Sequence, residues 1–152
     1  MAEEVGAAGP GPGERLVLDT HVWLWALEGA EAALSSDAVA AIEAASGRGG
    51  LLVSAISIWK VAMLEAKGRI ALTRPVAEWV TDALRAPGVR LLPLTPEIAV
   101  ESTHLPGSPH GDPADRILIA SARVAGARLA TCDRSILEYG QSGQVAVLDA
   151  EP

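Results

Sequence analysis

Four aspartates carry the clearest chemistry in this chain. Asp19 closes the short apolar run RLVLD (15–19). Asp112 and Asp115 stand three apart in HGDPADRILIASARVAG, and Asp133 comes two residues after ARLAT. Carboxylates brought to one place repel one another. They tolerate it when a hard cation such as Mg²⁺ or Mn²⁺ neutralises them. A cation held in that way activates water and stabilises charge on a phosphodiester. No other common catalytic set is visible: there is no glycine-rich phosphate loop and no GxSxG elbow. The three histidines and single cysteine do not have zinc-ligand spacing.

The elements that must position these acids follow from periodicity and punctuation. Arg15 to Asp19, Leu51 to Val53, Val89 to Leu92, Ala127 to Thr131 and Gln144 to Leu148 read as short buried strands. Between them lie helical segments: Thr20 to Leu27, Ser35 to Ser46, Ser54 to Lys67, Val76 to Arg85 and Thr95 to His104. In Ser54 to Lys67, Ile56, Trp59 and Met63 share one face. The best-marked helix starts at Asp112, a capping residue followed by Pro113, and stops at Gly126; its inward stripe is Ile117, Ala120, Ser121 and Val124. A helical turn is expected at Ser135 to Glu138. Strands alternating with helices imply an α/β fold with a largely parallel sheet of about five strands. In such sheets functional groups collect beyond the C-terminal ends of the strands, where Asp19 and Asp133 fall. Asp112 and Asp115 share the first turn of one helix, so all four acids can converge there if the first and fourth strands are neighbours.

Composition sets the bounds. A chain of 152 residues is the size of one domain and can bury a core without disulfides, and Cys132 is alone in any case, which suits a reducing cytoplasm. No apolar run approaches the roughly 20 residues needed to span a bilayer. Residues 1–14, rich in Gly and Pro, read as a disordered tail and 15–152 as the folded domain. A net charge of −7 argues against a general nucleic-acid coat protein, though not against an enzyme that meets phosphates through bound cations.

The blocks LVLDTHVWLWAL, VSAISIWKVAMLEAKGRIAL and HGDPADRILIASARVAGARLATCD, in this order and spacing, resemble a PIN domain, and more closely the VapC toxins of bacterial toxin–antitoxin pairs. The resemblance runs from about Arg15 to the end, and HxDPxDR followed by a strand ending in Asp is its most specific part. It implies a three-layer α/β/α sandwich and a Mg²⁺- or Mn²⁺-dependent endoribonuclease acting on tRNA, rRNA or mRNA. It also implies a VapB-type antitoxin partner, a homodimer and a cytoplasmic location. By the same resemblance Asp19, Asp115 and Asp133 hold the metal and Asp112 supports them. The departure is Lys60: relatives place Glu after the Trp, as the second acid of the set. Glu65 lies five residues on, about 140° round the helix, and cannot stand in. Glu43, on the preceding helix, would need that helix to pack unusually.

Each residue also has a plainer reading. Asp19 and Asp112 suit helix caps, Asp115 a favourable helix N-terminus, and Asp133 a turn. His21 and His110 read as exposed or structural, and Trp23, Trp25, Trp59 and Trp79 as core or partner-facing. Arg116, Arg123, Arg128 and Arg134 form either a phosphate-contacting rim or solvated helix faces. Lys60 is exposed without a role, or inactivating, or an ammonium lodged among the aspartates. Opposite charges a few Å apart interact by ~4 kcal/mol at an effective dielectric near 20, enough to weaken divalent-ion binding. The rival function is therefore a catalytically inactive PIN-fold module that binds an antitoxin, RNA or both. A phosphoryl-accepting receiver domain needs a late lysine, and none follows Lys67.

Overall fold

The computed structural model describes residues 14–107, 109 and 111–152. His110 and residues 1–13 of the expected tail lie outside them. Glu14 is described, and its carboxylate pairs with Arg128.

Five strands form one sheet: β1 (Leu16–Leu18), β2 (Leu51–Ser54), β3 (Val89–Leu92), β4 (Arg128–Thr131) and β5 (Val147–Asp149). The spatial order is β3-β2-β1-β4-β5, and every pairing is parallel. Seven helices lie among the described residues: α1 (Thr20–Leu27), α2 (Ser36–Ser46), α3 (Ala55–Ala66), α4 (Val76–Leu84), α5 (Pro96–Thr103), α6 (Pro113–Ala125) and α7 (Arg134–Gln141). None is long and apolar enough to cross a membrane.

Side chains alternate across a strand, and that alternation builds the three layers. Leu16 and Leu18 of β1 and Leu51 and Val53 of β2 face one core, with Trp23, Ala38, Val61 and Trp79 from α1 to α4. Val17, Leu52 and Leu129 face the other, with Ile98, Leu118, Ile119 and Ile136 from α5 to α7. On the first face Trp23 meets Trp79 edge-on at 5.1 Å between ring centroids, and the Trp79 indole donates to Glu28 Oε2 at 2.8 Å.

The helix caps fall where the punctuation put them. Ser35, Ser54, Thr95 and Asp112 each cap a helix through the side chain. Gly126 ends α6 at φ 64°, a left-handed conformation that glycine adopts without a Cβ clash. Three expectations need correction. The buried face of α3 is Ser57, Val61 and Leu64, not Ile56, Trp59 and Met63; Ile56 is half-buried and Trp59 is 56% exposed. The α6 stripe is broader and centred on Asp115, Leu118, Ser121 and Ala122, leaving Ile117 and Val124 half-buried. The last helix is two turns long rather than one, and β5 starts at Val147 rather than Gln144.

Candidate active site

The order of the sheet decides where a site can form. β1 and β4 are neighbours, although most of the chain separates them. The connections leave β1 in opposite directions across the sheet, toward β2 on one side and β4 on the other. The crevice beyond the C-terminal ends of these two strands is the switch point of the fold. Asp19 follows β1, and Asp133 lies two residues past β4.

Both acids also cap helices. The Asp19 carboxylate accepts from the Thr20 amide at 2.7 Å and Asp133 Oδ1 from the Ile136 amide at 3.2 Å. Asp112 Oδ1 accepts from the amides of Ala114 and Asp115, at 2.8 and 3.2 Å. The capping role and the site role therefore belong to the same side chains. Three helix N-termini meet at the crevice, and their positive ends favour ionised carboxylates there.

Asp115 is the centre of the arrangement. It is only 6% exposed. Burial first, then the charges of Asp112, Asp19 and Asp133, raises its carboxyl from 3.8 to about 6; the Lys60 ammonium opposes this without cancelling it. Three of the aspartates picked out from the sequence thus act on the buried carboxyl of the fourth, and so does Lys60. Lys60 is half-buried on α3. Ser57, three residues earlier on the same face, bonds the Thr20 hydroxyl at 3.0 Å and ties α3 to the start of α1.

Thr131 is a residue whose role the sequence reading missed. Fully buried at the end of β4, its hydroxyl donates to Asp19 Oδ2 at 2.6 Å and accepts from the Asp133 amide at 2.9 Å. One oxygen therefore spans the two strand-end aspartates. The signal was present: a hydroxyl residue two positions before a candidate acid, in an otherwise apolar strand. The rim was missed too. Asp149 ends β5 beside Thr131, and Glu151 follows it. Burial, then the charges of Glu151, Asp149 and Asp19, pushes the Cys132 thiol up, so this half-buried cysteine lies beside the acids.

The singled-out histidine and tryptophans have other surroundings. His21 is exposed and packs at a tilt against the half-buried Trp25, with ring centroids 5.6 Å apart. Trp23 and Trp79 are core residues.

The donor set is all oxygen and all anionic, which suits a hard divalent cation rather than zinc or copper. Among the described residues no three acidic, histidine or cysteine side chains stand close enough together to grip an ion as positioned. The neighbouring carboxylates that add to the effect of burial on Asp115 are nonetheless the kind of charge that a cation would relieve.

Comparison with known proteins agrees with this architecture. The PIN domain family model matches residues 16–141. Ribonuclease VapC22 of Mycobacterium tuberculosis is 38% identical over 133 residues, 87% of this chain and 97% of that protein. Among solved structures, VapBC2 from Rickettsia felis bound to a promoter DNA fragment aligns at a TM-score of 0.62 with 12% identity, over 90% of this chain and 98% of that one. FitAcB from Neisseria gonorrhoeae aligns at 0.57 with 20% identity, over 88% and 96%. At such identities these structures share the fold.

Proposed function

The chain belongs to the PIN-domain family, in its VapC branch, and from that premise we propose that it is a metal-dependent endoribonuclease toxin whose activity is lowered by Lys60. The observation that carries this reading is the convergence of Asp19, Asp112 and Asp133 on buried Asp115 at the switch point of a parallel sheet.

Asp19, Asp115 and Asp133 would hold a Mg²⁺ or Mn²⁺ ion, with Asp112 assisting. Bound there, such an ion would supply Lewis acidity and orient and activate a water for attack on an RNA phosphodiester. The rest is done by the chain. Thr131 fixes Asp19 and Asp133 relative to each other. The Asp112 cap fixes the first turn of α6 and with it Asp115. With no ion bound, Asp115 holds its proton up to about pH 6, so the full set of charges is present only above that.

The substrate we assign is tRNA, rRNA or mRNA. The partner is a VapB-type antitoxin that holds the toxin inhibited in a cytoplasmic complex, in line with the VapBC assemblies that share its fold, and the toxin itself pairs as a homodimer. Lys60 supports a second reading. Its positive charge acts on the same carboxyl an ion would serve, which favours an inactive module that keeps antitoxin or RNA binding.

The test is cleavage of total RNA with Mg²⁺ or Mn²⁺ by this chain and by Lys60→Glu in parallel. Cleavage by both means that the aspartates suffice. Cleavage by Lys60→Glu alone means that Lys60 has disarmed an intact scaffold. Cleavage by neither removes the nuclease reading and leaves the binding module.

A further inference from the structure

Four arginines stood out as candidates for a phosphate-contacting rim, and the structure separates them. Arg128 sits at the start of β4, at the opposite end of the sheet from the acids, and pairs with Glu14. Arg123 is bound to Glu101 at 2.6 Å and to the Gln144 carbonyl. Arg116 donates its Nε to the Ser102 carbonyl at 2.9 Å, which turns it toward α5. Arg134 differs from all three. It follows Asp133 directly, at the acid end of β4. Its side chain is 68% exposed, and it is paired with Glu151 at 2.7 Å, itself 38% exposed.

Glu151 belongs to the same corner. β4 and β5 pair with Thr131 beside Asp149, so the residues just past both strands rise together at the crevice edge. An exposed ion pair of this kind contributes little to stability, about 0–1 kcal/mol, and is readily exchanged for another anion. Arginine offers a planar fork of donors that matches a phosphate as well as it matches a carboxylate. The pair thus holds a phosphate-shaped donor at the mouth of an acidic crevice, with a carboxylate in the phosphate's place.

We propose that Arg134 contacts a backbone phosphate of the RNA next to the cleaved bond, and that Glu151 competes with that phosphate for the guanidinium. This rests on the reading of the crevice as an RNA-cleaving site. It makes Arg134 the positioning residue on the β5 side of the acids. Without such a group, RNA approaching a chain of net charge −7 meets mainly repulsion.

The two halves of the pair are predicted to act in opposite directions. The assay is fluorescence anisotropy of a labelled, mixed-sequence, single-stranded RNA with Ca²⁺ in place of Mg²⁺, over a salt series. Arg134→Ala should weaken binding about three- to tenfold for all sequences. Losing one phosphate contact should reduce the slope of log affinity against log salt by about 0.7. Arg134→Lys should recover part of the loss. Glu151→Gln should tighten binding, and by more than Glu138→Gln, which removes the same charge from an exposed position one turn along α7. In the Arg134→Ala background the extra gain from Glu151→Gln should vanish. A purely structural pair would move both variants the same way. Arg134→Ala binding like the unmodified chain overturns the proposal, as does Glu151→Gln tightening no more than Glu138→Gln. If the unmodified chain binds no RNA at all, the reading of the crevice fails first and this proposal with it.

Discussion

Replacing Asp115 by Asn should make the ion-free protein more stable, not less. A carboxyl raised from 3.8 to about 6 is ionised in the folded state only at a cost. At ~1.4 kcal/mol per unit of pKa, that cost is about 3 kcal/mol when the charge is fully formed. The sign follows from proton counts. Between about pH 4 and 6 the folded state holds a proton on Asp115 that the unfolded state has lost, so stability falls as pH rises through that window. The penalty is complete above about pH 6 and absent below about 4. Asn keeps the shape and removes the charge. Urea unfolding in EDTA should therefore show Asp115→Asn ahead by about 1–3 kcal/mol at pH 8, the lower end allowing for hydrogen bonds that favour the carboxylate. The two proteins should converge as pH approaches 4. Adding Mg²⁺ or Mn²⁺ should close the gap from the other side, because an ion stabilises the charged site and not the amide. A variant less stable at pH 8, or a difference that ignores pH, would show that Asp115 is not under the charge load described.

Three further outcomes follow. Lys60→Glu should bind Mn²⁺ at least about tenfold more tightly by titration calorimetry, since the local charge changes by two, and should be less stable without metal by ~1 kcal/mol or more. Thr131→Val should lose about 1–3 kcal/mol in urea unfolding, because the half-buried Asp133 amide loses its acceptor. Its metal affinity should also fall about tenfold or more with all aspartates in place. Gly88→Ala should lose about 2 kcal/mol or more: Gly88 has φ 82°, and a Cβ there would lie 2.0 Å from the Ser46 carbonyl oxygen. Its Asp115 titration, followed by carbon-13 NMR, should be unchanged, since this turn is remote from the acids.

Much of the fold was legible because its signals are local. Serine, threonine and aspartate caps, Pro113, Gly126 and the short apolar runs each act within a few residues. The face of α3 was not, because AISIWKVAMLEA carries two apolar stripes at helical spacing. Ile56, Trp59 and Met63 form one; Ser57, Val61 and Leu64 were chosen by contacts from elsewhere, among them the Thr20 hydroxyl on Ser57. The length of α7 was hidden by Gly140, which reads as a stop. It lies inside the helix because Val147 occupies the space a side chain would need, with Cγ2 2.7 Å from a Cβ position there. The four aspartates were legible as a group from their strand-end and helix-start positions. Thr131 was not, because its role depends on β1 and β4 being neighbours, which no local pattern states.

Lys60 shows how far such reasoning reaches. The sequence marks it as a departure only by comparison with relatives, and a lysine on an amphipathic helix would otherwise pass as a solvated residue. The structure gives it a physical consequence. The Lys60 ammonium lowers the Asp115 carboxyl, but Asp112, Asp19 and Asp133 each raise it by more than Lys60 lowers it, and burial raises it most of all. One ammonium therefore does not neutralise the site. Four carboxyls facing one ammonium leave an excess of negative charge whenever all of them are ionised. The remaining excess of negative charge leaves a reason for a divalent ion to bind, more weakly than with a glutamate at position 60. Lowered affinity and abolished affinity differ in one measurable way: a weakened site regains cleavage when Mn²⁺ is raised well above the level that saturates Lys60→Glu, whereas a blocked site stays silent at any concentration. The excess of carboxylates over the Lys60 ammonium favours recovery.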